Sequence, residues 1–381
     1  TASKGIFGMF NLFSGGSVAR VSIFALGIMP YITSSIIIQL VISSSPELKK
    51  ARKEGGDQMQ EKINQYTKLL TIFVGIAQGL GISSLLISAG VHDTSVMEFR
   101  FVCTITMLCG TFILIWLGDR ISKNGIGNGS SLIIFTGIVA EAPRDFMNIF
   151  NMAKTGVISS VELATVVMMF CIVVAVVVMF EKSNRLVYIQ YPKQMQQFAQ
   201  NRNMMPNFMP IKVNPAGVMP PIFASSIILL PSTVANIFKS SDSSIVQFIL
   251  SKLTHGTVYF IVFDIILIVF FSFFYNNIAF DADDIANQLR KNNIFIPGTR
   301  PGVATSELFK RIINRLSLIG ACYLSFICAL PELFGPKYGY SFILGGTGLL
   351  IVVNVITDTI AAVQAQMLPT KYQQSGRKVY K

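Results

Sequence analysis

Nine runs of apolar residues dominate this sequence: 21–44, 67–90, 98–118, 130–150, 160–180, 215–238, 255–277, 314–331 and 341–363. Crossing about 30 Å of hydrocarbon takes about 20 residues of helix, and most of the runs meet that length. Runs this apolar could also be core helices of a large soluble protein. Nine of them, with little amphipathic sequence between, argue for lipid as the solvent. Composition agrees: 52% of residues are hydrophobic and 13% charged, against about 25% charged in a soluble domain. The expectation is an all-α membrane protein, a polytopic helix bundle.

The formal net charge of +12 need not mean nucleic acid, because its distribution follows the runs. With 45–68 placed on the cytoplasmic side and alternation from there, the stretches 45–68, 119–129, 181–214, 276–316 and 364–381 hold 23 of the 31 Lys and Arg. That is a positive-inside bias, with the C-terminus inside and the first residues outside. A chain that begins outside without a signal peptide is most simply read as lacking an earlier spanning helix. The five cysteines, Cys103, Cys109, Cys171, Cys322 and Cys328, all lie inside apolar runs. Their odd number and the lack of a CxxC pair suggest helix packing, not disulfides or zinc. His92 and His255 are far apart in sequence, and nothing marks them as ligands.

An internal repeat is visible. Gly27-Ile-Met-Pro30-Tyr-Ile32 recurs as Gly217-Val-Met-Pro220-Pro-Ile222, and a Ser-Ser-Ile-Ile follows each, at Ser34 to Ile37 and Ser225 to Ile228. By the charge count the two copies run in opposite directions. An inverted repeat places function at the interface of the halves, near the midplane; the boundary falls near 150–160. Pro30, Pro220 and Pro221 are expected to kink their spans. The carbonyls so freed need protein or cavity water as partners, which would put both spans on the interior.

Residues 1–20 are too short and glycine-rich to span, and Ile6, Phe7, Met9, Phe10 and Phe13 make a short apolar patch there. It suits an interfacial helix on the outer leaflet or a small helix tucked between the spans. The loops 181–214 and 276–316 each exceed thirty residues, and loops that long are often functional. The second carries Arg290 and Lys291, then Pro297-Gly-Thr-Arg300-Pro-Gly302, whose turn signals present Arg300 at a tip. There is no HExxH, GxSxG or Walker A pattern, so neither catalysis nor a cofactor is expected.

These motifs together resemble the bacterial SecY family, the central subunit of the Sec protein-conducting channel. The resemblance is carried by Phe10-Asn-Leu-Phe-Ser-Gly-Gly16, Ser22 to Ile32, Ile36-Ile-Ile-Gln39-Leu, and Trp116-Leu-Gly118 with Gly125-Ile-Gly-Asn-Gly129. Lys212-Val-Asn-Pro-Ala-Gly217, Pro297 to Gly302 and Gly345 to Val353 complete it. It implies ten helices in two inverted halves, nine of them seen here: a plug segment at 1–20, an N-terminal half at 21–155, a C-terminal half at 156–363 and a cytoplasmic tail at 364–381. The pore ring would be Ile28, Ile32, Ile134, Ile222 and Ile351. A lateral gate would open between the spans 21–44 and 67–90 and the spans 215–238 and 255–277. Gln39, Gln78 and Asn214 are amides in or at the start of these spans, and some of them are expected to meet across the gate. Arg300, with Arg290 and Lys291, would contact a SecA-type ATPase motor or the ribosome. SecE-type and SecG-type small subunits would sit alongside in a bacterial cytoplasmic membrane, and signal-sequence-bearing polypeptides would be the cargo. In loop 181–214 this chain has Gln, Asn and Met where the family is often Arg-rich.

The rival class is a secondary transporter, which inverted repeats and broken helices suit equally. Such a protein needs ionisable groups at mid-membrane, for which Asp264 and Asp358 are the candidate carboxylates.

Overall fold

The computed structural model describes residues 22–88, 95–156, 159–190, 208–237, 257–338 and 346–379. Each of the nine apolar runs holds a helix. In chain order these are α1 (Met29–Ser44), α3 (Gly56–Ser88), α4 (Val96–Asn124), α5 (Gly129–Lys154), α6 (Ser160–Lys182), α7 (Met219–Ile237), α8 (Val258–Ala279), α10 (Val303–Tyr338) and α11 (Gly346–Val379). Between them lie two short helices, α2 (Pro46–Glu54) and α9 (Ala282–Lys291), and a hairpin of β1 (Asn184–Tyr188) and β2 (Phe208–Lys212).

Among the described residues six helices, α3, α4, α6, α8, α10 and α11, are long and apolar enough to cross a membrane. α1, with 16 residues, is shorter, because the chain ahead of it is a turn. α5 carries Glu141, Arg144 and Asp145 within its length.

The prolines do not act as expected. Pro30 is the second residue of α1, and Pro220 and Pro221 are the second and third of α7. The first four N–H groups of a helix have no partner within it, so a proline there costs nothing. These residues start helices instead of kinking them. Asn128 starts α5 differently, its side-chain oxygen accepting from the N–H groups of Ser130 and Ser131. Gly129 then lies so close to α4 that a Cβ on it would sit 2.0 Å from the carbonyl oxygen of Gly118. That contact accounts for the Trp116-Leu-Gly118 and Gly125 to Gly129 motifs as a helix–turn–helix packing unit.

The helices pack in sequence order along α3–α4–α5, and again along α7–α8–α10. α11 joins the two sets by packing on α5, α6 and α10, while α7 packs on both α1 and α3. One large apolar core runs through the bundle, drawing buried residues from every long helix.

The hairpin, which the sequence analysis did not anticipate, pairs antiparallel with Asn184 opposite Lys212 and Tyr188 opposite Phe208. Val187 and Ile211 are buried and Met209 packs partly buried beside them, which leaves too short an alternation to announce a strand. It packs with α9 and the start of α10 around Val187, Ile211, Ala282, Ile296, Phe309 and Ile313. Gln190 and Phe295 exchange both backbone hydrogen bonds, at 2.8 and 3.1 Å. The described parts of the two long basic loops therefore form one small folded platform at the basic end of the bundle.

Candidate functional site

The turn ahead of α1 and the turn ahead of α7 are built alike. Gly27 has φ 56° and Gly217 φ 60°, a left-handed conformation that glycine adopts without a steric penalty. Each stands two residues before its helix. The first turn delivers Ile28 and then Ile32, and the second delivers Ile222, all toward the centre of the bundle.

Ile28, Ile134, Ile222 and Ile351 are buried in the large core, and Ile32 packs partly buried against it. They come from five separate places: a turn, α1, α5, α7 and α11. The sequence analysis missed Ile138, one turn beyond Ile134 on the same face of α5 and 1% exposed. It lies opposite Gly348, where a Cβ would stand 3.6 Å from Ile138 Cγ2. A spacing of four from Ile134 was the signal available.

A cavity of about 240 Å³ opens toward the basic end above these residues. Ile134, Ile222 and Ile351 line it together with Gly127, Asn128, Lys212, Asn214, Asn354 and Asp358. Lys212 Nζ meets Asp358 Oδ1 at 3.2 Å, and Asn354 Nδ2 donates to Asp358 Oδ2 at 3.1 Å. Asp358 is thus part of a polar lining that meets apolar isoleucines.

The three amides expected to meet across a gate do not meet. Gln39 Nε2 reaches Ser35 Oγ of its own helix at 3.4 Å. Gln78 is 1% exposed in α3, and neither of its amide atoms has a hydrogen-bond partner among the described residues. Asn214 bonds Glu181 and Gly217, within the segment 181–217 at the base of the hairpin. What fills the seam between α1 and the α7–α8 pair is apolar: Ile36, Phe223 and Phe271 are buried there, with Ile32, Leu40 and Tyr275 packed around them. The rings of Phe223 and Phe271 meet edge to face at 5.8 Å. In lipid, association rests on such packing, and the sequence gave no spacing that pairs residues of distant helices.

Arg300 lies exposed in the turn before α10, whose backbone is fixed by Thr305 Oγ1 donating to the Arg300 carbonyl at 2.9 Å. Arg290 and Lys291 are exposed at the C-terminal end of α9. All three cations therefore sit on the platform. Asp283 anchors it: Lys310 Nζ donates to its two oxygens at 3.1 and 3.0 Å, and Ser306 Oγ donates as well. These hydrogen bonds hold the Asp283 carboxyl below the usual carboxylate range. The plug residues Ile6, Phe7, Met9, Phe10 and Phe13 lie outside the described residues, as do His92 and His255.

The SecY family model matches residues 22–360. The protein translocase subunit SecY of Rickettsia bellii is 43% identical over 385 residues, covering 99% of this chain and 87% of that protein. The chain belongs to the SecY family. The fold agrees with solved structures. A structure of a protein-conducting channel matches with a TM-score of 0.67 at 19% identity, over 91% of this chain and 82% of that one. Sec61 in the canine ribosome–channel complex from the endoplasmic reticulum matches at 0.61 and 18% identity, over 91% and 82%. SecY membership sets aside the secondary-transporter reading and accounts for the absence of a catalytic motif.

Proposed function

We propose that this chain is the channel-forming subunit of a bacterial protein translocase. It passes unfolded, signal-sequence-bearing polypeptides through the isoleucine ring and releases membrane segments sideways between α1 and α3 on one side and α7 and α8 on the other. The observation that carries the reading is the cavity whose polar lining ends on Ile134, Ile222 and Ile351, isoleucines held by three different helices. A narrow apolar constriction excludes water and ions by dewetting. Apolar contact is non-directional, so such a ring accommodates chains of any sequence without binding them.

Energy comes from outside the chain. The exposed cations Arg300, Arg290 and Lys291 suit the acidic groove of a SecA-type ATPase or the phosphates of a ribosome, since exposed guanidinium and ammonium groups at a fixed tip pair well with both. A ribosomal partner is supported by the structural relative that is described in a ribosome–channel complex. SecE-type and SecG-type subunits would complete the assembly in the bacterial cytoplasmic membrane, with the platform on the cytoplasmic side where the positive-inside bias puts it. The halves 21–155 and 156–363 would part at the α1–α7 seam, with 1–20 as plug and 364–381 as tail. Crosslinking decides it: a stalled secretory chain should react with cysteines placed at the ring, and a chain that crosslinks only to lipid-facing positions of α6 would overturn the reading.

A further inference from the structure

The hairpin is clamped at its base by one side chain. Ser183 and Val213 form the last rung, Val213 N donating to the Ser183 carbonyl at 3.0 Å. Directly beside this rung Asn214 Nδ2 spends its hydrogens in two directions. It donates to Glu181 Oε1 at 3.0 Å and to the Gly217 carbonyl at 2.9 Å. Both side chains are buried, Asn214 at 2% exposure and Glu181 at 4%. From the other side α10 closes in, where a Cβ on Gly320 would stand 3.3 Å from Asn214 Oδ1. Three features follow one another within a few residues: the end of β2 at Lys212, the Asn214 amide, and the left-handed Gly217 turn that starts α7 and sets Ile222 in the first helical turn.

We propose that Asn214 is a positioning residue that ties the platform to the pore: through Glu181 and the Gly217 carbonyl it makes a displacement of the hairpin a displacement of Ile222. This rests on the channel reading above and adds to it a route by which a partner on the platform acts on the ring. The chemistry requires a side chain with two donated hydrogens on one atom. An aspartate in its place has none and would set a second carboxylate against Glu181. A buried carboxylate deprived of its donor is costly, so the turn would shift to relieve it.

The test uses the complex purified from its own membranes and reconstituted in planar bilayers, with ion conductance at rest and partner binding read separately. Asn214→Asp should raise resting conductance about tenfold, the change that corresponds to one charge-assisted hydrogen bond, while binding of the motor or ribosome is unchanged. Glu181→Gln keeps an acceptor and should stay as tight as the parent. In the double variant the new glutamine donates to the new aspartate, which restores the contact with position 181 but not the one with the Gly217 carbonyl, so conductance should fall part of the way toward the parent. An Asn214→Asp channel as tight as the parent overturns the inference. So does a leak that the double variant does not lower at all, since that is general damage to the fold. A parent complex that moves no secretory chain overturns the channel reading instead, whatever the variants conduct.

Discussion

Gly27 and Gly217 adopt the same backbone conformation at two distant points of the chain, φ 56° and 60°, and each donates its N–H to the carbonyl three residues back, Phe24 at 2.9 Å and Asn214 at 3.2 Å. Each is followed after two residues by a helix whose first turn contains proline. The internal repeat is thus a repeated helix start: a left-handed glycine turns the chain and a proline in the first turn opens the helix.

Alanine at either glycine should destabilise the protein by about 1–2 kcal/mol, the cost of a left-handed conformation for a residue with a Cβ. At Gly217 the only neighbour of an added Cβ within 4 Å among the described residues is Asn354 Nδ2, at 4.0 Å, so strain and not crowding is being measured. Asparagine there should cost less than alanine. Thermal unfolding of the purified protein in detergent checks the order; alanine as stable as glycine at both sites would contradict the shared turn.

At the seam, Phe223→Ala or Phe271→Ala removes one ring of the edge-to-face pair that fills the space between α1, α7 and α8. The closed arrangement should lose roughly 3 kcal/mol of packing, so signal sequences of lower hydrophobicity should pass. Translocation of a graded series of signal sequences measures the threshold. By contrast Gln39→Leu should leave it where it is, because Gln39 bonds only within α1 among the described residues.

Polar replacements at Ile134, Ile138, Ile222 and Ile351 together should make the resting channel leak ions, while any single replacement should leak little. Dewetting depends on the whole circumference being apolar. Bilayer conductance of the fourfold variant reads this directly, and a fourfold variant as tight as the parent would remove these residues from the pore.

Arg300→Glu should abolish partner-driven translocation and leave folding intact, since the side chain is exposed and its turn is held by backbone and Thr305 contacts. Limited proteolysis of the variant should match the parent, and binding of motor or ribosome should fall.

The Asp283 anchor has a defined pH dependence. Its carboxyl is held low in the folded protein by Ser306 and Lys310. Its contribution is therefore complete above the unfolded carboxylate value of about 3.9 and is lost as pH falls through the lower folded value. The group is solvent-exposed, so screening keeps the effect small. Protection of the α9 amides against hydrogen exchange, taken relative to the intrinsic rate at each pH, should fall in acid, and Asp283→Asn should show lower protection already at neutral pH, with a smaller acid step left to the Asp281 cap.

Run length and charge bias made the helices legible, because lipid demands both of a spanning segment whatever its neighbours are. Local chemistry was read less well. Pro30 and Pro220 were expected to kink helices, and only the backbone shows that they start them. Contacts between distant segments were not legible from residue type. Asn214 looked like a gate amide because amides inside apolar runs seek partners, yet its partner Glu181 lies across the hairpin. The seam of Phe223 and Phe271 was invisible because every run contains phenylalanine or isoleucine. The isoleucine ring was identified through the family resemblance, apart from the spacing of Ile28 to Ile32 and the repeat that matches Ile32 with Ile222.

The exchange of hydrogen bonds between Gln190 and Phe295 closes a circuit of chain that contains all of α7 and α8. Both feet of that helical pair therefore stand on one plinth. A body held at two neighbouring feet pivots far more readily than it slides, and its travel grows with height above the pivot. A small tilt at the plinth would then be geared up with distance along α7 and α8, and under the proposed function a partner gripping the platform would work the short arm of a lever.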